Sequence, residues 1–340
     1  MIGVDTHRDQ HTLAVVAVPT DALVAQHSVA VDARGYREAV QVADRYAAGA
    51  RVFAIEGAGH YGAGLTRFLV SEGEAVIEVA RSVRAERRRG KDDALDALRA
   101  ARSALASKTL TLPRLGEHQQ ALRVLLLARR SAVDVRRLAL VQLRSVIVTA
   151  PESLRAELRG LPTGQLIRRC SRFRRSSSRT PDELALVLVL RSRARRIEAA
   201  TDEANELERE IIAHVRAAVP QLLDESGVGP IVAAQLIVTW SRRGRVRSKG
   251  AFARLDGVAP LPASSGETIR HRLSRGGDRQ LNQALHTVIL HRRQHDPATR
   301  DYIARRLAEG KSAREATRIL KRYLARRLYR VMQNAEPAMA

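Results

Sequence analysis

The sequence of 340 residues contains a single cysteine, Cys170, and only 3% aromatic residues. A lone cysteine excludes an internal disulfide and a zinc cluster built from cysteines. No apolar stretch approaches the roughly 20 residues that a membrane-spanning helix needs. The first residues have the pattern of a strand and not that of a signal peptide. These absences predict a cytoplasmic protein without a membrane anchor.

Positive charge, by contrast, is abundant. The chain has 59 Lys+Arg against 36 Asp+Glu, a formal net charge of +23, and an isoelectric point of about 11.4. Such an excess predicts a polyanionic partner, either nucleic acid or an anionic membrane surface. The few aromatic side chains leave little surface on which bases could stack, so we expect phosphate contacts to dominate binding.

The first 110 residues alternate between short β-rich runs and helical patterns. Three strands, a helix, a strand, a helix, a strand and a helix are the order of a ribonuclease-H-like domain. Long helical patterns follow at 121–149 and from Asp182 to about Ala217, separated by Pro151 and by a basic, serine-rich loop at 171–181. We therefore predict an α/β domain of ribonuclease-H-like type at 1–112, a helical or coiled-coil hairpin at 113–218, and a mainly helical domain at 219–340.

Four acidic residues stand at the ends of strands and at the start of a helix. Asp5 follows the apolar residues of the first strand, Glu56 ends a buried strand, and Asp93 and Asp96 share one face of a helix start. Carboxylates that converge repel one another unless a cation lies between them, and two Mg²⁺ ions suit phosphodiester exchange. Aspartates are also common at helix starts and in turns. The acids alone leave a metal-dependent nuclease and a structural role equally open.

The motifs around these acids resemble the signatures of the DEDD transposases of the insertion sequence 110 family, which includes the Piv-type DNA invertases. They are Gly3–His7 (GVDTH), Glu56–Tyr61 (EGAGHY) and Lys91–Ala97 (KDDALDA). Asp92 stands where this family usually has Thr or Ser. The resemblance implies a RuvC-like domain at 1–112, in which the four matched acids bind metal and catalyse: Asp5, Glu56, Asp93 and Asp96.

The second half of the chain extends the resemblance. Leu255–Gly266 is similar to a family motif in which a serine before a glycine is the nucleophile, which implies Ser265, with Ser264 as the neighbouring candidate. Before it, Gly227–Pro230 (GVGP) is typical of the turn in a helix-hairpin-helix element, and also of an ordinary helix–helix turn. Glycine amides in such a turn approach a phosphate closely.

Basic residues cluster beside these motifs, where they would hold the DNA backbone. Relatives in the resembled family use a bridge RNA that pairs with donor and target DNA, and a protein with few base-reading side chains agrees with that arrangement. The residues that we expect to contact nucleic acid are Arg84, Arg87, Arg88, Arg89, Lys91, Gly227, Gly229, Arg243, Arg245 and Arg275.

These features together predict a DNA transposase or recombinase of an insertion element, with two Mg²⁺ ions, a serine nucleophile and a bridge RNA as guide. We expect it in the bacterial cytoplasm, associated with the nucleoid. Because recombination cuts four strands, we expect homodimers that assemble into a tetramer. A Piv-like site-specific invertase, a RuvC-like junction nuclease and a non-catalytic nucleic-acid-binding protein are the alternatives.

Overall fold

The computed structural model describes the chain apart from residue 19 and the segments 80–92, 108–109, 117, 175–178, 263–270, 273–275 and 336–340, together with the side chains of 262 and 271–272. Two compact units make up the chain, Met1–Gly116 (unit 1) and Glu117–Ala340 (unit 2). The further division of the second half, at residue 218, stays a prediction.

Unit 1 is built on a five-stranded mixed sheet with the strand order β3-β2-β1-β4-β5. Its elements are β1 (Ile2–Thr6), β2 (Gln10–Val16), β3 (Leu23–Ala30), α1 (Ala33–Tyr46), β4 (Phe53–Glu56), α2 (Ala63–Ser71), β5 (Val76–Val79) and α3 (Asp93–Ala106). The strands β1, β2 and β3 are antiparallel neighbours, whereas β4 and β5 continue the sheet parallel to β1. This order confirms the predicted mixed α/β domain and is compatible with a ribonuclease-H-like fold.

The two faces of this sheet differ in side-chain size, because successive residues of a strand point to opposite faces. One face presents large apolar residues such as Val4 and Ile55, which form a core with Leu65 and Leu69 of α2. The other face presents Gly3 and Ala54, and α3 packs against it. A Cβ atom on Gly3 would overlap the Ala97 carbonyl oxygen of α3 and lie 2.6 Å from the Ala101 nitrogen. The small residues therefore let α3 lie directly on β1.

Unit 2 is mainly helical. Its elements are α4 (Gln119–Val148), α5 (Glu152–Leu158), α6 (Thr163–Ser171), α7 (Pro181–Ala218), a 3₁₀ turn (Pro220–Leu222), α8 (Pro230–Trp240), α9 (Lys249–Leu255), β6 (Leu261–Pro262), β7 (His271–Arg272), α10 (Arg279–His295), α11 (Pro297–Ala308) and α12 (Ala313–Asn334). The long helices α4 and α7 pack along each other and run antiparallel, since His118 before α4 meets His214 near the end of α7. Ser153, just after α4, donates to Glu183 at the start of α7.

The core of unit 2 surrounds α8, whose residues from Val232 to Trp240 are all buried. Apolar residues of α10 and α12, such as Leu285 and Leu328, complete this core. Although α8 is strongly apolar, it has only 11 residues. Among the described residues, no helix has both the length and the apolar character that crossing a membrane requires.

Candidate active site

The register of the sheet places Asp5 and Glu56 side by side. The parallel strands β1 and β4 pair Gly3 with Ala54 and Val4 with Ile55, so Asp5 and Glu56 follow at the carboxyl ends of neighbouring strands. Side chains two residues apart share a face, which puts both acids on the face that α3 covers. The Thr6 hydroxyl donates to the Glu56 carbonyl oxygen at 2.8 Å and ties the two strand ends together.

The helix α3 brings two more acids to the same end of the sheet. It begins at Asp93, and both Asp93 and Asp96 lie in its first turn. Because Ala97, in the next turn, packs on Gly3, this first turn lies over the carboxyl end of β1. Asp96 accepts a hydrogen bond of 2.6 Å from Arg99, three residues further along the helix.

An imidazole that the sequence reasoning gave no role lies among these acids. The Nε2 atom of His7 is 3.0 Å from Asp5 Oδ2 and 3.2 Å from Asp93 Oδ1. One donor atom from each of these three residues falls within 4.8 Å of the others. His7 stands inside the GVDTH motif, two residues after Asp5, and this position is the signal that could have found it.

The surroundings of the Asp5 carboxyl group shift its pKa in both directions. Asp5 is only 9% exposed, and burial raises the pKa of its carboxyl group, which Asp96 and Asp93 raise further. His7 acts in the opposite direction and lowers that pKa through its charge and its hydrogen bond. Carboxylate and imidazole groups are both ligands of divalent metals. The residues present therefore fit a divalent metal ion, with Glu56 and Asp96 at the same end of the sheet and outside the tight group of three.

The predicted serine and several predicted basic residues lie outside the described residues. The strands β6 and β7 pair in an antiparallel manner, with Pro262 opposite His271, and the chain between them includes Ser264 and Ser265. The roles of these serines stay predictions. The same holds for the basic residues in the segments 80–92 and 273–275, which are Arg84, Arg87, Arg88, Arg89, Lys91 and Arg275.

The predicted glycine turn precedes α8. Gly227 has a φ of +78°, which only glycine adopts without strain, and Gly229 is the residue before Pro230 in the first turn of α8. A Cβ atom on Gly227 would lie 3.0 Å from Nδ1 of His291 on α10. The turn is therefore packed against α10, and contact of its amides with a phosphate stays a prediction.

Two arginines that the sequence assigns to nucleic acid bind the protein's own backbone. Arg243 donates to the Gln333 carbonyl oxygen in the last turn of α12, and Arg245 donates to the Thr239 carbonyl oxygen near the end of α8 at 2.9 Å. A cation at a helix C-terminus is favourable there, because the last carbonyl groups lack partners within the helix. Arg243 remains exposed, and its predicted contact with nucleic acid is untested.

Comparison with known proteins matches both halves of the chain. A family model of DEDD transposases of the IS110 type, described as "Transposase", matches residues 2–150, and one described as "Transposase IS116/IS110/IS902 family" matches residues 220–304. The chain belongs to the IS110 family of transposases. The first match contains the four acids of the candidate site, and the second contains the glycine turn and the two serines of this IS110-family chain.

One curated relative is described as "Insertion element IS110 uncharacterized 43.6 kDa protein" and comes from Streptomyces coelicolor. It is 33% identical over 139 residues, which cover 40% of this IS110-family chain and 34% of the relative. The chain therefore matches about a third of the relative's length.

Proposed function

We propose that this IS110-family protein is the DNA transposase of an insertion element, which cuts and rejoins DNA strands at the acidic end of the sheet in unit 1. The observation that carries the proposal is the convergence of Asp5, from β1, with Asp93, from α3, in a group of metal-binding donors. Two separate elements of the fold supply these acids, and the close packing of α3 on Gly3 brings them together.

Asp5, Glu56, Asp93 and Asp96 would hold the metal, for which we propose two Mg²⁺ ions. Bound ions of this kind stabilise charge on the attacking and leaving oxygens of a phosphodiester exchange. The chain's own contribution is geometric. The hydrogen bond from Thr6 fixes the ends of β1 and β4 relative to each other, and the contact of Ala97 with Gly3 fixes the first turn of α3.

Ser265 is the proposed nucleophile, and the family resemblance of its motif supports it. Its hydroxyl oxygen would lose its proton and form a bond to the scissile phosphorus as the bond from phosphorus to a DNA oxygen breaks, and the leaving DNA oxygen would take up a proton, so that no net proton is gained or lost. The product is a phosphoserine ester with one DNA end. Attack by a second DNA hydroxyl reverses this step and releases the serine, so rejoining needs no external energy source.

The proposed partners are donor and target DNA together with a bridge RNA. The net charge of +23 supports polyanionic partners, and the 3% aromatic content supports contacts with phosphates over stacking on bases. Exchange of two duplexes breaks four strands, so we propose homodimers that assemble into a tetramer. Base pairing by the RNA would then supply the sequence specificity.

A trapping experiment tests this chemistry. The full-length protein is incubated with Mg²⁺, DNA that carries the ends of the element, and RNA transcribed from its flanking segment, and then denatured with SDS. We expect a protein–DNA adduct that resists SDS, that is absent in Ser265→Ala, and that persists in the matched control Ser264→Ala. Strand cleavage that survives in Ser265→Ala would instead indicate attack by water, as in a junction nuclease.

A further inference from the structure

The imidazole of His7 lies between two carboxylates. Its backbone nitrogen donates to the Gln10 carbonyl oxygen at 3.1 Å, which fixes the tight turn between β1 and β2. The ring then turns back toward the acids, and the same Nε2 atom lies 3.0 Å from Asp5 and 3.2 Å from Asp93. A single ring nitrogen carries at most one hydrogen, which points well at only one acceptor.

These separations suit hydrogen bonds, and they also suit neighbouring ligands of one metal ion. Two ligand atoms that each lie roughly 2.1 Å from an ion, at a right angle to each other, are about 3 Å apart. The distances from the His7 nitrogen to both carboxylates match that value. Asp5 and His7 are only two residues apart in the sequence, but Asp93 comes from a separate helix, so its contact with the His7 nitrogen is not a consequence of sequence spacing.

We infer that His7 is a metal ligand, which together with Asp5 and Asp93 forms a site that binds Mn²⁺ and similar transition metals more tightly than Mg²⁺. Sites built from carboxylates and water favour Mg²⁺, whereas an imidazole nitrogen favours transition metals. This inference rests on the proposed function, because it concerns the same site, and it adds a residue that the four matched acids do not include.

A second histidine of unit 1 provides a matched control. His27 on β3 has the same side-chain exposure as His7, 43%, and also lies beside a carboxylate, with its Nε2 atom 2.7 Å from Glu38 Oε1. It differs in facing one carboxylate of an exposed pair, whereas His7 faces two. His27→Ala therefore removes an imidazole of equal exposure without touching the proposed site.

The test uses the full-length protein, stripped of metal by a chelator, with Mn²⁺ or Mg²⁺ as the only added ligand. Pulsed EPR of bound Mn²⁺ detects a directly coordinated imidazole through its nitrogen coupling. We expect that coupling in the unmodified protein and in His27→Ala, and its loss in His7→Ala. We also expect His7→Ala to weaken Mn²⁺ binding at least about tenfold, and Mg²⁺ binding by clearly less.

Three results would overturn the inference: no Mn²⁺ binding, bound Mn²⁺ without imidazole coupling in the unmodified protein, or an equal loss of Mn²⁺ and Mg²⁺ affinity in His7→Ala. The last would show that His7 only supports the carboxylates. The measurement on the unmodified protein does not depend on how well a variant folds. Imidazole coupling without any DNA cleavage would support the inference about His7 and reject the proposed function. DNA cleavage without imidazole coupling would support the proposed function and reject the inference about His7.

Discussion

Each of the two units buries an aspartate, and the surroundings of the two side chains differ. Asp5 in unit 1 is 9% exposed and lies beside the partly exposed side chains of His7 and Asp93, whereas Asp256 in unit 2 has no exposed surface. Among the described residues, neither carboxyl oxygen of Asp256 has a hydrogen-bond partner. Lys321, whose charge lowers the Asp256 pKa, donates to the Asn282 side chain at 2.6 Å.

The difference shows that burial of an acid does not by itself indicate a reactive site. Burial alone raises the pKa of an acid and favours its neutral form. It raises the pKa of Asp256 to about 9, with a further contribution from Asp278, so this carboxyl group is neutral at pH 7. At Asp5 the neighbouring imidazole opposes the effect of burial, and other donors converge at the carboxyl end of the central strand β1. Surroundings like those of Asp5 can hold a cation.

The largest effect that we expect is a loss of strand cleavage when an acid beside Asp5 is changed, compared with little loss when Asp256 is changed. Asp93→Asn removes a charge from the candidate site of Asp5, His7 and Asp93. It should lower the rate of strand cleavage by about a hundredfold or more, the range seen when one group that stabilises charge in a transition state is removed. Asp256→Asn should leave that rate within a few-fold of the unmodified protein. A gel assay of nicked DNA measures both. Equal losses in the two variants would remove the distinction drawn between the two acids.

The next change tests whether the packing of α3 on β1 brings Asp93 and Asp5 together. Gly3→Ala places a methyl group against the Ala97 carbonyl oxygen, so α3 must shift away from β1. Overpacking of this kind costs about 1–3 kcal/mol of unfolding free energy, and cleavage should fall as well because Asp93 moves away from Asp5.

Gly49→Ala is the matched control for this change, because nothing lies within 4 Å of the added methyl group. Thermal unfolding followed by circular dichroism, together with the cleavage assay, measures both variants. If Gly3→Ala is as stable and as active as Gly49→Ala, the close contact between α3 and β1 does not position the site.

The last effect concerns stability alone, and it is the pH dependence that Asp256 confers. Its pKa is about 9 in the folded protein and about 3.9 in an unfolded chain. The stability associated with the bound proton is therefore complete below about pH 4 and is lost as the pH rises toward 9. Asp256→Asn should melt at a higher temperature than the unmodified protein at pH 8.5, and the gap should narrow toward pH 5.

Asp301→Asn, which alters an exposed acid on α11 of the same unit, is the control for that series. It should follow the pH profile of the unmodified protein. A melting profile of Asp256→Asn that runs parallel to that of the unmodified protein from pH 5 to pH 8.5 would show that Asp256 is already ionised in the folded state.

Much of the fold followed from patterns that local chemistry controls. The helix predicted from Asp182 to about Ala217 spans Pro181–Ala218, because Thr180 and Glu183 form a capping box and proline is favoured in the first turn. The strand-end positions of Asp5 and Glu56 could likewise be predicted, since a strand's apolar run shows where it ends.

Other features could not be predicted because they depend on contacts between distant residues. The position of His7 two residues after Asp5 indicates a contact with Asp5, whereas only the packing of α3 on β1 brings its ring to Asp93. Charge counts do not show whether an arginine faces solvent or a carbonyl group, and Arg245 donates to Thr239. The burial of Asp256 depends on how α9 packs against α12, which the sequence alone does not show.

The metal dependence of strand cleavage tests whether the acids at the carboxyl end of β1 hold a metal ion that cleavage requires. The cleavage rate of the full-length protein is measured against the concentration of added divalent metal, for the unmodified chain and for Asp5→Asn. A sample with a chelator gives the rate in the absence of metal. We predict no cleavage in the chelator, cleavage that saturates with metal in the unmodified chain, and little or none in Asp5→Asn at any concentration. Cleavage that continues in the chelator, or an Asp5→Asn variant that behaves like the unmodified chain, would show that cleavage does not depend on a metal ion held at Asp5.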